Sequence, residues 1–401
     1  MKRALTILLA VALVLAIAGC GNGGADPSPP PQSPGAPVTS PDGGGAPAEP
    51  IKIGMLAAMT GDRALQGEFA KNSIEIALEE INDAGGILGR PVEVVIEDDL
   101  GTDAGAVNAY NRLASQDDIV AIIGSNYSTL SLAYDADVRK AEILTTAQGS
   151  NTRLGQLGNP WHYQLRVSDE IQVTASVQYM VDNLGLTKWA VINDTETASS
   201  GQAETAVAAL KSYGIEPEEW VTYTGGTQDF TAQLTRIRQA DVQAVYAAGV
   251  NPEIALLTVQ YREMGLTAEI MGSNGFSSTQ MRETAGYDVS SGIYSATHYV
   301  PDTPFEKGRA LAEKYLERYG VAQDAAGALA YDHVYMICEA ITRAGSTDRT
   351  EVRDAFLTIK DYEGAVTIYK VRNDGCSGTS SLILRNDGED TELLDVVTVE
   401  F

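Results

Sequence analysis

The sequence predicts an α/β protein built as two α/β sandwiches in tandem, and three observations predict it. From residue 51 onward, short apolar runs rich in β-branched residues alternate with longer amphipathic stretches, the pattern of βαβ units around a parallel sheet. The alternation runs through two successive series before an almost wholly helical segment and a terminal strand meander. The length of 401 residues suits two domains at about 150 residues each.

The first series opens with a strand over 51–57. A helix over 68–81 follows, with Phe69, Ile74, Ile76, Leu78 and Ile81 on one stripe, and Gly85-Gly86 stops it. Next come a strand over 92–96, a helix over 103–115, a strand over 119–123, a helix over 128–139 and a strand over 143–146. The second series predicts helices over 170–184, 202–213, 230–238 and 252–264, interleaved with strands over 189–193, 220–223, 244–248 and 269–272. Helices are expected over 304–319, 325–344 and 350–359. The final strands are expected over 365–371, 380–385 and 393–399, with Asn373-Asp374-Gly375 and Asn386-Asp387-Gly388 as turns.

Composition excludes several classes of function. With 28 Lys+Arg against 54 Asp+Glu the net charge is −26, so no clustered cationic surface is available for a nucleic acid. Three Cys and three dispersed His (His162, His298, His333) make neither a disulfide framework nor a local metal motif. Each His reads as structural. Cys338 and Cys376 read as two separate thiols, with a disulfide as the alternative.

The amino terminus reads as an address. Met1-Lys2-Arg3, an uncharged apolar run over 4–18 and the small residues before Cys20 have the layout of a secretory signal over 1–19, too short for a membrane span. Cys20 directly after Ala18-Gly19 resembles a bacterial lipobox, in which the thiol is lipidated and becomes the first mature residue; a plain signal with an incidental Cys is the alternative. The Gly/Pro-rich remainder of 20–50 lacks periodic apolar positions and is expected to be a tether.

In doubly wound sheets ligands sit beyond the carboxyl ends of the strands. The loops there are small and polar: Ala58-Met59-Thr60-Gly61-Asp62, Gly124-Ser125-Asn126-Tyr127-Ser128, Thr146-Ala147-Gln148-Gly149-Ser150, Asn193-Asp194-Thr195, Gly249-Val250-Asn251-Pro252 and Ser273-Asn274-Gly275-Phe276. Hydroxyls, amides and Gly backbone suit an anionic or zwitterionic small molecule. Ser128 and Ser150 read both as caps and as ligand contacts. The stretch 54–67 has no Gly-x-Gly-x-x-Gly, and the chain has no phosphate-binding loop, His-Glu-x-x-His or Gly-x-Ser-x-Gly elbow. Asp98-Asp99 reads as a solvated strand end rather than as metal ligands or an acid/base pair. No catalytic group and no cofactor are nominated.

Over 51–401 the chain resembles the solute-binding proteins of the branched-chain amino-acid type of ABC importer, which have the type I periplasmic-binding-protein (Venus-flytrap) fold. The matching stretches are Met59-Thr60-Gly61, 79–91, Ile122-Ile123-Gly124 with Ser128, 163–166, 271–276, Ala330-Tyr331-Asp332 and Asp361-Tyr362-Glu363-Gly364. The resemblance implies two lobes joined by three crossovers, placed near Ser168, His298 and Gly364, with ligand held between them. One lobe would be 51–168 plus 299–363, the other 169–298 plus 364–401. It further implies that Ser128, beside Tyr127, together with Gln148, Gly149 and Ser150, holds an amino acid's carboxylate and part of its amine. Other positions depart from the leucine/isoleucine/valine pattern. Gln66 stands where a Tyr follows the first strand, Ala198 and Val250 stand for two Tyr of the second lobe, and Asn274 stands for the acid that meets the ammonium. Asp194 is the candidate for the missing charge, unless the ligand is an amide, a urea-like compound or an amine-free carboxylate.

The expectation is therefore a non-enzymatic, lipid-anchored, extracytoplasmic monomer. It would capture a small polar or carboxylated metabolite and deliver it to ABC permease subunits. A ligand-sensing subunit that signals through a membrane partner is the rival.

Overall fold

The computed structural model describes residues 48–250 and 252–400. The expected signal, the lipidation site Cys20 and most of the tether lie outside the described residues.

The first sheet is built from β1 (Ile51–Ala57), β2 (Val92–Asp98), β3 (Ile119–Ile123), β4 (Leu144–Ala147) and β5 (His162–Gln164). Between them run the helices α1 (Ala64–Asp83), α2 (Asp103–Ala114), α3 (Ser128–Ala133) and α4 (Asp135–Ala141). The strand order is β2-β1-β3-β4-β5, with every pairing parallel. A parallel sheet covered on both faces needs apolar residues on both, and β1 supplies them. Ile51, Ile53, Met55 and Ala57 join one core and Leu56 the other.

The chain then enters a second sheet through α5 (Asp169–Asp182), β6 (Trp189–Asp194), α6 (Thr197–Ser212), β7 (Glu219–Tyr223), α7 (Thr231–Gln239) and β8 (Ala244–Ala248). It continues through α8 (Glu253–Glu263), β9 (Glu269–Gly272), α9 (Thr279–Ala285), α10 (Tyr287–Ser290) and β10 (Tyr294–Thr297). The order β7-β6-β8-β9-β10 repeats that of the first sheet. Next, α11 (Glu306–Tyr319), α12 (Ala325–Ala344) and α13 (Arg349–Phe356) return to the first core, where Leu311, Ile337 and Phe356 are fully or almost fully buried with Ile53. After the short pair β11 (Tyr362–Glu363) and β12 (Ile368–Tyr369), the hairpin β13 (Ser380–Asp387) and β14 (Asp390–Thr398) adds antiparallel to β10. The chain thus passes three times between two doubly wound lobes.

Three local expectations need correction. The helix expected over 128–139 is broken at Tyr134 (φ −99°, ψ 7°). Its ring is buried against Tyr110 at 5.2 Å, while its hydroxyl accepts from the Ser125 amide and donates to Ser131, so the side chain turns into the core at that point. The strand expected over 365–371 shrinks to two residues. The Asp332 carboxylate accepts from the amides of Ala365 (2.6 Å) and Val366 (2.9 Å) and from the Tyr369 hydroxyl (2.8 Å), taking donors that a ladder would use. Asp99 is not a solvated strand end. It is fully buried, with its Oδ1 accepting from the Gly101 amide. The strands β5 and β10, absent from the sequence expectation, complete the two parallel sets.

Candidate ligand-binding site

Both sheets order their strands so that direction of winding reverses between β1 and β3 and between β6 and β8, the places where doubly wound sheets open a crevice. The residues after β3 and β4 meet on the first rim. Ser128 opens α3, and its Oγ accepts from the Asn151 amide at 3.2 Å. Gly149 lies so close that a Cβ there would stand 2.4 Å from Ser128 Oγ and 2.8 Å from Leu154 Cδ1. Only glycine lets the two loops touch. The loop is fixed from beneath: Gln164 Nε2 donates to the Gly149 carbonyl at 2.7 Å, and Gln148 Nε2 donates to the Gly124 carbonyl at 2.7 Å. Gln148 is fully buried, and its Oε1 has no partner among the described residues.

Ser150 connects this rim to the second lobe. Its carbonyl accepts from the amide of Asp169, the first residue of α5, at 2.8 Å, and its hydroxyl bonds the Asp169 carboxylate. Asp169 lines a small cavity with Gln172, Gln202, Tyr246 and Asn274. Burial raises its carboxyl above the ordinary Asp range, against the opposing pull of Arg166 and of the Ser150 hydroxyl. Arg166 is half-buried, with its Nε out of water and without a partner among the described residues; desolvation lowers its pKa, while Asp169 and Asp324 act the other way. Asp324 caps α12 by accepting from Ala326 (2.6 Å) and Gly327 (3.3 Å), and burial raises its carboxyl too. His298 beside them is held neutral, pushed well below 6.5 by burial and then by Arg166. Arg166 thus acts electrostatically on two carboxylates and an imidazole, with no ion pair within 4.0 Å to any of them among the described residues.

A second cavity on the first lobe lies at the β1/β3 reversal and takes in Gln66, Tyr127 and Gln148 with Arg63. The expected site residues thus fall into two groups on the first rim, one around Ser128, Gly149 and Ser150 and one around Gln66, Tyr127 and Gln148. On the second rim Asn274 shares the Asp169 cavity. Asp194 lines neither cavity; it is buried, its Oδ1 accepts from the Glu196 amide of its own turn at 2.8 Å, and its Oδ2 has no partner among the described residues. Ala198, in the first turn of α6, and Val250 are exposed and line neither cavity.

The sequence did not single out Asp169 and Arg63, which line the two cavities, or Arg166, which acts electrostatically on Asp169. The signal for Asp169 was its place directly after Ser168, whose hydroxyl accepts from the Ile171 amide as the cap of α5. Arg63 was legible as the one cation in the loop after the first strand. Among the described residues no cluster of His, Cys, Asp and Glu could hold a metal ion, and no helix is long and apolar enough to cross a membrane.

A sequence profile described as periplasmic binding protein matches residues 50–385. An amino acid binding protein of Pseudomonas aeruginosa is 30% identical over 304 residues, covering 74% of this chain and 80% of that protein. The structure is also similar to a leucine binding protein from Thermotoga maritima, with a TM-score of 0.69, 27% identity and coverage of 87% of this chain and 99% of that one. A branched-chain amino acid transporter substrate binding protein from Streptococcus pneumoniae, solved in complex with isoleucine, matches with a TM-score of 0.68, 25% identity and coverage of 88% and 100%.

Proposed function

The chain belongs to the periplasmic binding protein family, and from that premise we propose that it is an extracytoplasmic solute-binding protein of an ABC importer. It is held to the membrane by a lipid on Cys20, captures an amino acid between its two lobes and hands it to the permease. The names of its relatives, which bind amino acids or leucine, support a ligand of that kind.

The observation that carries the reading is the junction of Ser128, Gly149 and Ser150 with Asp169. The ligand's carboxylate takes the Ser128 hydroxyl, whose oxygen accepts from Asn151 and whose proton is left to donate, and nearby backbone N–H groups, neutral donors that bind an anion without demanding a buried countercharge. The ligand's ammonium takes Asp169. The half-buried group of Arg166, Asp169 and Asp324 has one more negative than positive member, and an arriving ammonium balances it. Asn274 then has no need to be the acidic partner, because a carboxylate already lies in its cavity. These charges favour amine-bearing ligands over amine-free carboxylates and urea-like compounds.

Capture favours the closed state only through contacts that both lobes make with the ligand, and the three crossovers are where the hinge bends. A thermal-shift screen of the full chain tests the function. An amino acid at about a hundredfold over its dissociation constant adds about 2.7 kcal/mol and raises the melting temperature. A shift with amine-free carboxylates alone would contradict the reading, as would a flat response to every amino acid.

A further inference from the structure

We propose that Arg63 reads a second, anionic group on the ligand, so that the preferred ligand is an amino acid with an acidic side chain. This rests on the reading of the site as an amino-acid site and names the class within it.

The cavity at the β1/β3 reversal is lined by Arg63 and Gln66 after β1, by Ser125 and Tyr127 after β3, and by Gln148 after β4. Two polar atoms at its walls are buried without a partner among the described residues, Arg63 Nη1 and Gln148 Oε1. The guanidinium lies over the Tyr127 ring, 3.8 Å from its centroid, which fixes the plane of the fork and leaves its edge available. The carboxylate that acts on Arg63 electrostatically belongs to Asp99, yet no ion pair within 4.0 Å joins them among the described residues, and Asp99 is held instead by the Gly101 amide and the Ser125 hydroxyl. A buried charged donor without an acceptor is unfavourable, and a carboxylate that meets the fork restores the bond with charge assistance.

Ser128 and Gly149 follow β3 and β4, and Arg63 follows β1, the neighbour of β3, so the loops that carry them open on the same rim of the first sheet. A ligand whose α-carboxylate meets Ser128 therefore has Arg63 on the same rim for a second carboxylate at the end of its side chain. A branched aliphatic side chain in the same position would leave the guanidinium unpaired. Gln66, where the leucine/isoleucine/valine pattern has an aromatic ring, adds an amide to this polar wall.

Calorimetric titration of the full chain with L-glutamate, L-aspartate, L-glutamine and L-leucine tests the proposal, alongside Arg63→Gln and Arg63→Lys. The wild type is expected to bind an acidic amino acid at least about tenfold more tightly than L-glutamine or L-leucine. Arg63→Gln is expected to weaken acidic ligands by about tenfold to a hundredfold and to leave L-glutamine within about twofold. Arg63→Lys, which keeps the charge without the fork, should lose an intermediate amount, and it carries the test if Arg63→Gln fails to fold. Binding of L-leucine in preference to the acidic ligands overturns this inference and leaves the amino-acid reading standing. An unchanged L-glutamate affinity in folded Arg63→Gln does the same and assigns Arg63 to a structural pairing with Asp99. Failure of every amino acid to bind overturns both.

Discussion

The Asp169 amide donates to the Ser150 carbonyl over 2.8 Å, and this bond joins the rim of the first sheet to the first turn of the helix that opens the second lobe. Its consequence is chemical as well as mechanical. The serine loop proposed for a ligand's carboxylate and the Asp169 carboxylate proposed for its ammonium are joined there, as the two charged groups on one α-carbon require. Because the two residues come from opposite sides of a crossover, hinge motion and ligand contact share the same few atoms.

Gly149→Ala should remove binding and weaken the fold. The added Cβ would stand 2.4 Å from Ser128 Oγ and 2.7 Å from Ser128 Cα, so backbone must shift and not only a flexible side chain. Overpacking of this kind costs about 1–3 kcal/mol. Chemical denaturation should show that loss, and titration of the variant should show no amino-acid binding. Wild-type affinity would remove Gly149 from the site.

Asp169→Asn should discriminate between ligand classes. Loss of the carboxylate is expected to weaken amino acids by about tenfold to a hundredfold, and to leave amine-free carboxylates unaffected or slightly favoured. Its raised pKa adds a pH dependence. Protonation begins above the ordinary Asp value of 3.8, so amino-acid affinity falls on acidification at a higher pH than an exposed Asp would give. The variant should lack that fall in binding assays run from neutral pH downward.

His333 should make the fold sensitive to acid. Its Nδ1 pairs with Thr146 Oγ1 at 2.7 Å, the ring is fully buried, and burial lowers its pKa from 6.5 to about 3. The unfolded chain takes a proton near 6.5 where the folded one refuses it, so the unfolded state binds more protons and stability falls with pH below 6.5. At pH 4.5 the loss through this residue is on the order of 2–3 kcal/mol relative to neutral pH. Urea denaturation of wild type and His333→Gln at pH 7 and 4.5 should show a smaller acid loss in the variant; equal losses would mean that His333 is protonated in the folded state.

The parallel strands were legible because their buried apolar runs are bounded by polar loops. The run expected over 119–123 is the whole of β3, and that over 244–248 is the whole of β8. What escaped depends on contacts distant in sequence. Tyr134 breaks its helix by reaching Ser125 and Tyr110, and Asp332 strips the 365–371 segment of its donors from 33 and 34 residues away. Three-residue β5 carries too little pattern to be recognised without its partner β4. Ser128, Gln148, Gly149 and Ser150, the proposed ligand contacts, stand out in the sequence because they follow strand ends. Asp169 does not, since nothing in periodicity reveals that a crossover brings it back to Ser150. Asp194 also stands at a strand end, where its Oδ1 is held in its own turn and its Oδ2 has no partner among the described residues.

Calorimetric titration of L-amino acids into the full chain and into Ser128→Ala tests whether the serine loop and Asp169 hold one amino acid between the lobes. Saturable binding of one ligand per chain to the wild type, weakened at least about tenfold in a Ser128→Ala protein of unchanged melting temperature, is the predicted result. Equal affinity in the two proteins, or no binding of any amino acid to the wild type, would contradict it.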